Sequence, residues 1–453
     1  MLIEFSVSNF LSFNEKVSFS MTAGKARKYS SRLYIHNGNK YLKCKAISGP
    51  NASGKSNLLH AINFMQSCIT GDFPRGFSNW YFRNYPENVS KETAFEIKLL
   101  IEERLITYGF FIILSEAKIT NEYMYETKRS GKQIYIFKRN TDNASFYVGD
   151  FFKTKSSIDK LNIYGNDSLE DTNMLFLNII NHGKGKMYED NPDLTILRSI
   201  YRWFKTKLTI SYPQTILSGY PYFKDTNLNE IADILNALDT GIKQLKIVHV
   251  PCDVVKNDIS EDIYTKIIST LEKKNATRKN HTDNPCIFAR AEKKFYNFFI
   301  DDDNNITITT IEFSHEKENI YYSLSEESDG TARLLDLVEI LLSPNHNAVY
   351  VIDELDRCLH PVITVKLIET FLNLAETRNT QLIFTTHESR IYASDILRND
   401  EICFLKKNAD GYSSIKSMEK YKLRADKSIY AALFDGTIEE THTFNEKKIQ
   451  RIK

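Results

Sequence analysis

Residues 47–56 read Ile-Ser-Gly-Pro-Asn-Ala-Ser-Gly-Lys-Ser, and no other stretch of the chain constrains its fold as strongly. Gly49 and Gly54 frame a loop that can turn successive backbone N–H groups inward around a phosphate, because glycine reaches backbone angles that other residues resist. Lys55 can then reach the β and γ phosphates of a nucleotide, and the Ser56 hydroxyl can bind Mg²⁺. Such a loop functions only between a strand and the start of a helix, where unpaired N–H groups and the helix dipole favour an anion. Both flanks are expected here. Residues 41–47 read as a short strand, and 57–68 place Leu58, Leu59, Ile62, Phe64 and Met65 at helical spacing. The candidate nucleotide-binding residues are therefore Gly49, Asn51, Ala52, Ser53, Gly54, Lys55, Ser56 and Asn57.

Three later stretches supply what this loop lacks. Val349-Tyr-Val-Ile-Asp353-Glu354 is an apolar strand ending in two acids. Asp353, with Ser56, suits a Mg²⁺ site, and Glu354 suits a base that polarises an attacking water. Taken alone, two acids after a strand read equally well as the start of a loop, and it is the upstream glycine loop that gives them a chemical role. Leu382-Ile-Phe-Thr-Thr-His387 is a second buried strand, ending in a histidine placed where a side chain could touch a γ-phosphate. The third stretch, Leu324-Ser-Glu-Glu-Ser328-Asp329-Gly330-Thr331, directly precedes a helix carrying Leu334, Leu335, Leu337, Val338, Leu341 and Leu342. Ser328 and Asp329 read as an ordinary helix cap. The same helix start also suits a γ-phosphate. Glu354 and His387 are thus the candidate catalytic residues, and Ser328, Asp329 and Gly330 a candidate phosphate-facing loop.

A chain of 453 residues exceeds one ordinary core, so two cores, or one large core with an insertion, are expected. A formal net charge of +1 gives no overall electrostatic footprint for nucleic acid or an anionic membrane, although a local basic face stays open. The cysteines at 44, 68, 252, 286, 358 and 403 are scattered, which argues against structural zinc and against a disulfide framework. Reduced, mostly buried thiols in a cytoplasmic protein are expected, with no membrane span.

Along the chain, 2–8 and 17–21 alternate as a hairpin, and 94–148 read as a run of strands at meander spacing. A basic loop at 25–32 carries Tyr29 and reads as a solvated loop. Residues 1–150 and 305–420 are expected to form two halves of an α/β head, with 151–304 a mainly helical insertion, its far boundary softened by strand patterns at 242–250 and 306–313, and 421–453 a charged tail.

The four pieces together resemble the ATP-binding-cassette ATPases, and among them the soluble heads of the SMC and RecF type. Glu327-Ser328-Asp329-Gly330-Thr331 is similar to the signature pentapeptide of that family, matching at Ser328 and Gly330, with Glu327 in place of a leading Leu. Glu354-Leu-Asp-Arg-Cys-Leu359-His360 resembles the acid followed by the dimer-facing loop, with His360 for a closing Asp. The Asp-Glu-Leu-Asp-x-x-Leu-His-Pro string and the helical insertion are most similar to AAA-annotated cassette ATPases of anti-phage and abortive-infection operons, such as those of PARIS, Septu and Rlo-type systems. The resemblance implies a mixed sheet with an antiparallel β-subdomain, ATP and Mg²⁺ as ligands, and a homodimer or higher oligomer. In it the nucleotide lies between the glycine loop of one copy and the signature of another. It also implies a separate effector, a nuclease or toxin, since this chain shows no toxic active site of its own. An SMC- or RecF-like head acting directly on DNA is the alternative. A monomeric P-loop kinase or GTPase would leave Ser328, Gly330 and His387 without a role. A lobe-coupling glutamine expected of the family is not found; Gln66 falls inside the helix after the glycine loop.

Overall fold

The helix Lys55–Thr70 is buried on nearly every side, and the sequence shows why. Leu58, Leu59, Ile62, Phe64 and Met65 sit on faces wide enough to meet two sheets at once, and one apolar cluster joins them to Phe5, Phe95 and Phe110 of one sheet and to Ile47, Val351 and Ile383 of the other. The Phe64 ring lies 5.5 Å from Phe10, 5.3 Å from Phe95 and 5.9 Å from Trp80. Truncating such a ring typically costs about 3–5 kcal/mol.

The computed structural model describes residues 1–213, 228–276, 285–291, 294–301, 304–315, 320–342, 347–421, 428–434 and 438. Two compact units are formed: Met1–Pro213 with Asn345–Leu355 and Leu372–Lys453, and Gln214–Pro344 with Asp356–Phe371.

In the first unit, one sheet is antiparallel, in the order Ser145–Val148, Gln133–Asn140, Lys118–Thr127, Arg104–Ile113, Thr93–Ile101, Leu2–Ser8, Val17–Ser20. The opening hairpin thus continues the meander as a single sheet. The second sheet runs Leu208–Ser211, Val349–Ile352, Gln381–Thr385, Cys44–Ser48, Ile402–Lys407, Ser413–Ser417, parallel except for its last strand. Its four central strands are short apolar runs, as strands covered on both faces must be. Buried Gln381 ties the sheets together, its amide donating to the Leu2 and Leu42 carbonyls at 2.9 and 3.0 Å while its oxygen accepts the Leu2 N–H at 2.7 Å.

The stretch expected as one helical insertion over 151–304 divides between the units. Helices Lys155–Asp167, Phe176–Asn181 and Thr195–Thr206 belong to the first unit, where Leu177, Ile180, Leu197 and Ile200 join its apolar cluster. Buried Glu122 of the antiparallel sheet anchors the middle helix by accepting the Phe176 and Leu177 N–H groups at 2.6 and 3.0 Å. Strand Leu208–Ser211 then joins the parallel sheet. The second unit is built on an antiparallel sheet in the order Gln244–His249, Ile306–Ser314, Lys294–Ile300, Cys286–Ala291, with Tyr322–Ser323 beside Ile306–Ser314. Strand Lys294–Ile300 buries Phe295 and Tyr296 on opposite faces, so it lacks the alternation by which a half-buried strand is recognised. Helix Glu261–Ala276 covers this sheet through Tyr264, Ile267, Ile268 and Leu271.

Cys44, Cys68 and Cys403 are buried, and burial pushes the Cys403 thiol up to about 11; Cys252, Cys286 and Cys358 are exposed. Among the described residues no helix is long and apolar enough to cross a membrane. The tail at 421–453 is described only at Tyr421, in the short helix Ile429–Phe434 with the preceding Ser428, and at Ile438.

Candidate nucleotide site

The glycine loop leaves the Cys44–Ser48 strand and enters the helix at Lys55. Gly49 at φ 147° and Gly54 at φ 102° adopt backbone that side chains resist, and Ala52 is left-handed at φ 62°. Space forbids a side chain as well. A Cβ on Gly49 would stand 2.3 Å from the Leu405 carbonyl oxygen, and one on Gly54 would stand 2.4 Å from Ser413 Oγ and 2.6 Å from Ser12 Oγ. Ser413 braces the loop from below, its hydroxyl donating to the Ser53 carbonyl at 2.7 Å and its N–H to the Ser12 carbonyl at 2.7 Å. Lys55 folds back over the loop, with Nζ donating to the Gly49 and Pro50 carbonyls at 2.8 and 3.0 Å.

This cradle fits a phosphate on its own chemistry. The helix start at Gly54 has no side-chain cap and no acid in its first turn, so an anion meets N–H groups and a lysine without a competing carboxylate. For a metal, no group of three or more His, Cys, Asp or Glu side chains among the described residues is arranged as a cage. Mg²⁺ keeps water and phosphate ligands and needs few protein groups, so Ser56 and Asp353 fit it.

Three parallel strands end side by side at this edge. Ile352 lies opposite Phe384 and Thr385 opposite Ile47, so the register brings Asp353 level with Thr385 and Ile47. Asp353 is buried; its N–H donates to the Ser211 carbonyl at 2.8 Å and its carboxylate accepts the Thr385 hydroxyl at 2.6 Å. The same Thr385 oxygen accepts the Glu354 N–H at 2.7 Å, and the Thr385 carbonyl accepts the Leu355 N–H at 3.1 Å. Between these bonds Glu354 turns left-handed, at φ 47°, a conformation that costs a non-glycine residue about 1–2 kcal/mol. His387 is exposed one residue beyond Thr386, whose N–H donates to the Ile47 carbonyl at 3.1 Å. The structure therefore brings Gly49–Ser56, Asp353, Glu354 and His387 to one edge of one sheet.

Several residues here carry no motif signature. Thr385 is the clearest, lying within the quoted strand but visible only once the strands are paired. His60, on the helix after the glycine loop, stacks on Tyr212 with ring centroids 4.7 Å apart. Burial lowers the His60 pKa against the opposing Asp353 charge, and burial followed by that same charge raises Tyr212. Gln66 is structural: its amide donates to the Phe204 and Leu208 carbonyls at 2.6 and 2.9 Å. Tyr29 of the basic loop lies beneath the Arg32 guanidinium, 4.0 Å from its centroid, and donates to the Asp395 carbonyl at 3.0 Å.

Ser328, Asp329 and Gly330 belong to the second unit. Ser328 caps helix Asp329–Leu337, its Oγ accepting the Thr331 N–H at 3.0 Å. Gly330 packs against the 356–360 loop, where a Cβ would stand 3.0 Å from the Cys358 carbonyl oxygen. Arg333, one turn on, is buried; desolvation lowers its pKa, with Asp336, Cys358 and Asp356 opposing.

Residues 46–392 match the family model described as "AAA domain, putative AbiEii toxin, Type IV TA system". The chain belongs to this family. It is an ATPase with an α/β fold. A comparison with curated proteins gives no match. Among solved structures, an SMC head bound to the C-terminal winged-helix domain of ScpA is similar at 14% identity and a TM-score of 0.42, over 94% of this chain and 98% of that one. The SMC head domain from Thermotoga maritima is similar at 14% identity and a TM-score of 0.32, over 92% and 98%.

Proposed function

We propose that this family member is a slow ATPase whose heads close head to tail around two Mg-ATP, and that the closed state holds or releases a separate effector, a nuclease or toxin, in anti-phage defence. The arrangement of Thr385, Asp353 and Glu354 supports this reading best. One threonine fixes the metal-side carboxylate and the backbone of the water-side carboxylate together, a rigid pair suited to a switch between bound and hydrolysed states. Lys55 and the Gly54 helix start hold the β and γ phosphates, Glu354 takes a proton from the attacking water, and His387 contacts the γ-phosphate. Bound Mg²⁺, held by Ser56 with Asp353 behind it, would neutralise phosphate charge. Ser328, Asp329 and Gly330 of a second copy complete the site.

The family model's description, with its type IV toxin–antitoxin system, supports a role in controlled toxicity.

The test is Glu354→Gln incubated with ATP. A stable ATP-loaded dimer that co-purifies with a nuclease or toxin supports the proposal. DNA in its place supports the reading as an SMC- or RecF-like head, and retained hydrolysis removes Glu354 as the base.

A further inference from the structure

Glu327 stands where the resemblance expects an apolar leucine, yet its side chain is only 6% exposed. A buried carboxylate must be hydrogen-bonded or it destabilises its surroundings. His315 supplies such a bond, Nε2 donating to Glu327 Oε1 at 2.7 Å. The His315 side chain is 34% exposed. The residue follows directly on strand Ile306–Ser314, whose Ser314 carbonyl accepts the Lys243 N–H at 2.8 Å. The Tyr322 ring lies 5.8 Å away, and a Cβ on Gly241 would stand 3.4 Å from Nδ1. At its other end, Glu327 directly precedes Ser328, the cap of helix Asp329–Leu337. The turn between is stiffened by Glu326, whose carboxylate accepts the Ser323 N–H and hydroxyl at 2.7 and 2.8 Å. The strand Ile306–Ser314 is thus linked through this polar bond to the residue before the loop.

We propose that His315 is a positioning residue for the Ser328-Asp329-Gly330 loop: by holding Glu327 it sets the direction in which the first turn of this helix offers its N–H groups to the nucleotide of a second copy. The inference rests on the reading that this loop closes a nucleotide site in trans. An apolar residue at 327 would anchor the turn by packing and would need no histidine. Glutamate there makes the anchor a hydrogen bond, to which His315 is a donor.

That dependence is tested by a cycle of His315→Ala, Glu327→Leu and the double variant, measured by steady-state ATP hydrolysis. His315→Ala should lower kcat about tenfold with KM for ATP unchanged, as loss of a bond to a buried carboxylate implies. In the Glu327→Leu background the same change should alter kcat by less than about twofold, the limit within which independent sites add. His315→Gln, which keeps a donor, should retain more turnover than His315→Phe, which keeps only the ring; this pair carries the comparison if the alanine variant unfolds. Equal losses in both backgrounds, or no loss in the wild-type background, overturn the proposal. Ser328→Trp separates the two layers: if it leaves hydrolysis intact, the in-trans reading of the loop fails. If it abolishes hydrolysis while the His315 variants turn over normally, only the role of His315 fails.

Discussion

Thr385 donates its hydroxyl to the Asp353 carboxylate at 2.6 Å while the same oxygen accepts the Glu354 N–H at 2.7 Å. The residue thereby links the groups assigned to the metal and to the attacking water. Thr385→Val keeps the shape of the strand and removes both bonds. A hydrogen bond to a charged group contributes about 1.5–3 kcal/mol, so hydrolysis should fall roughly ten- to hundredfold and need more Mg²⁺. Thr385→Ser should stay near wild type. A Mg²⁺ titration of turnover decides, and an unimpaired valine variant would remove Thr385 from the site.

Gly54→Ala meets two obstacles at once, a φ of 102° and hydroxyls 2.4 and 2.6 Å from the new Cβ. ATP affinity measured by calorimetry should drop more than about tenfold. Trimming the lower obstacle with Ser413→Ala in the same chain should recover only part of that loss, because the backbone angle is untouched. Full recovery would show that sterics alone keep glycine at this position.

These two sites show which features the sequence made legible. Gly49 to Ser56, the acidic pair and His387 follow apolar strands at fixed order, and strand, loop and helix announce themselves by period. The partners that hold them do not. Thr385 and Ser413 lie on strands and Ser12 in a turn, each acting on residues distant in sequence, and a lone threonine or serine has no distinguishing pattern. The division of 151–304 was hidden for a related reason. Strand Leu208–Ser211 has four residues, too few for a period to register, and Lys294–Ile300 is apolar on both faces. Gln66 shows the converse: its place inside the helix already excludes it from a coupling role, and its amide is committed to two carbonyls of the same unit.

Glu401 gives the first unit a pH dependence of defined sign. Burial, reinforced by the Asp400 charge, raises its pKa from 4.5 to about 7, while the Arg398 N–H and the Arg398 and Arg32 charges oppose the shift. The folded state therefore holds a proton that the unfolded chain releases above about 4.5. The stabilisation is full below that value and is lost as pH rises through about 7. Its size is on the order of 3 kcal/mol. Thermal unfolding should show a midpoint falling between pH 5 and 8, and Glu401→Gln, which stays neutral and keeps an acceptor for the Arg398 N–H, should flatten that slope. An identical slope in the variant would assign the dependence to other groups.

Ser328 tests whether the loop at the start of helix Asp329–Leu337 is more than a cap. As a cap alone, its replacement costs about 1 kcal/mol of stability and leaves chemistry at Lys55 and Glu354 unaffected. As the closing surface for a second copy's γ-phosphate, it must be small, since Gly330 is already packed against the Cys358 carbonyl and the helix start has no room to retreat. Ser328→Trp should then bind ATP with unchanged affinity and hydrolyse none. Mixing this variant with Lys55→Ala separates the models further. In a head-to-tail pair each mutant contributes the half that the other lacks, so one composite site keeps a native glycine loop facing a native Ser328. Partial turnover on mixing, from two inactive proteins, is the expected result; no recovery at any ratio would place the whole site within a single copy.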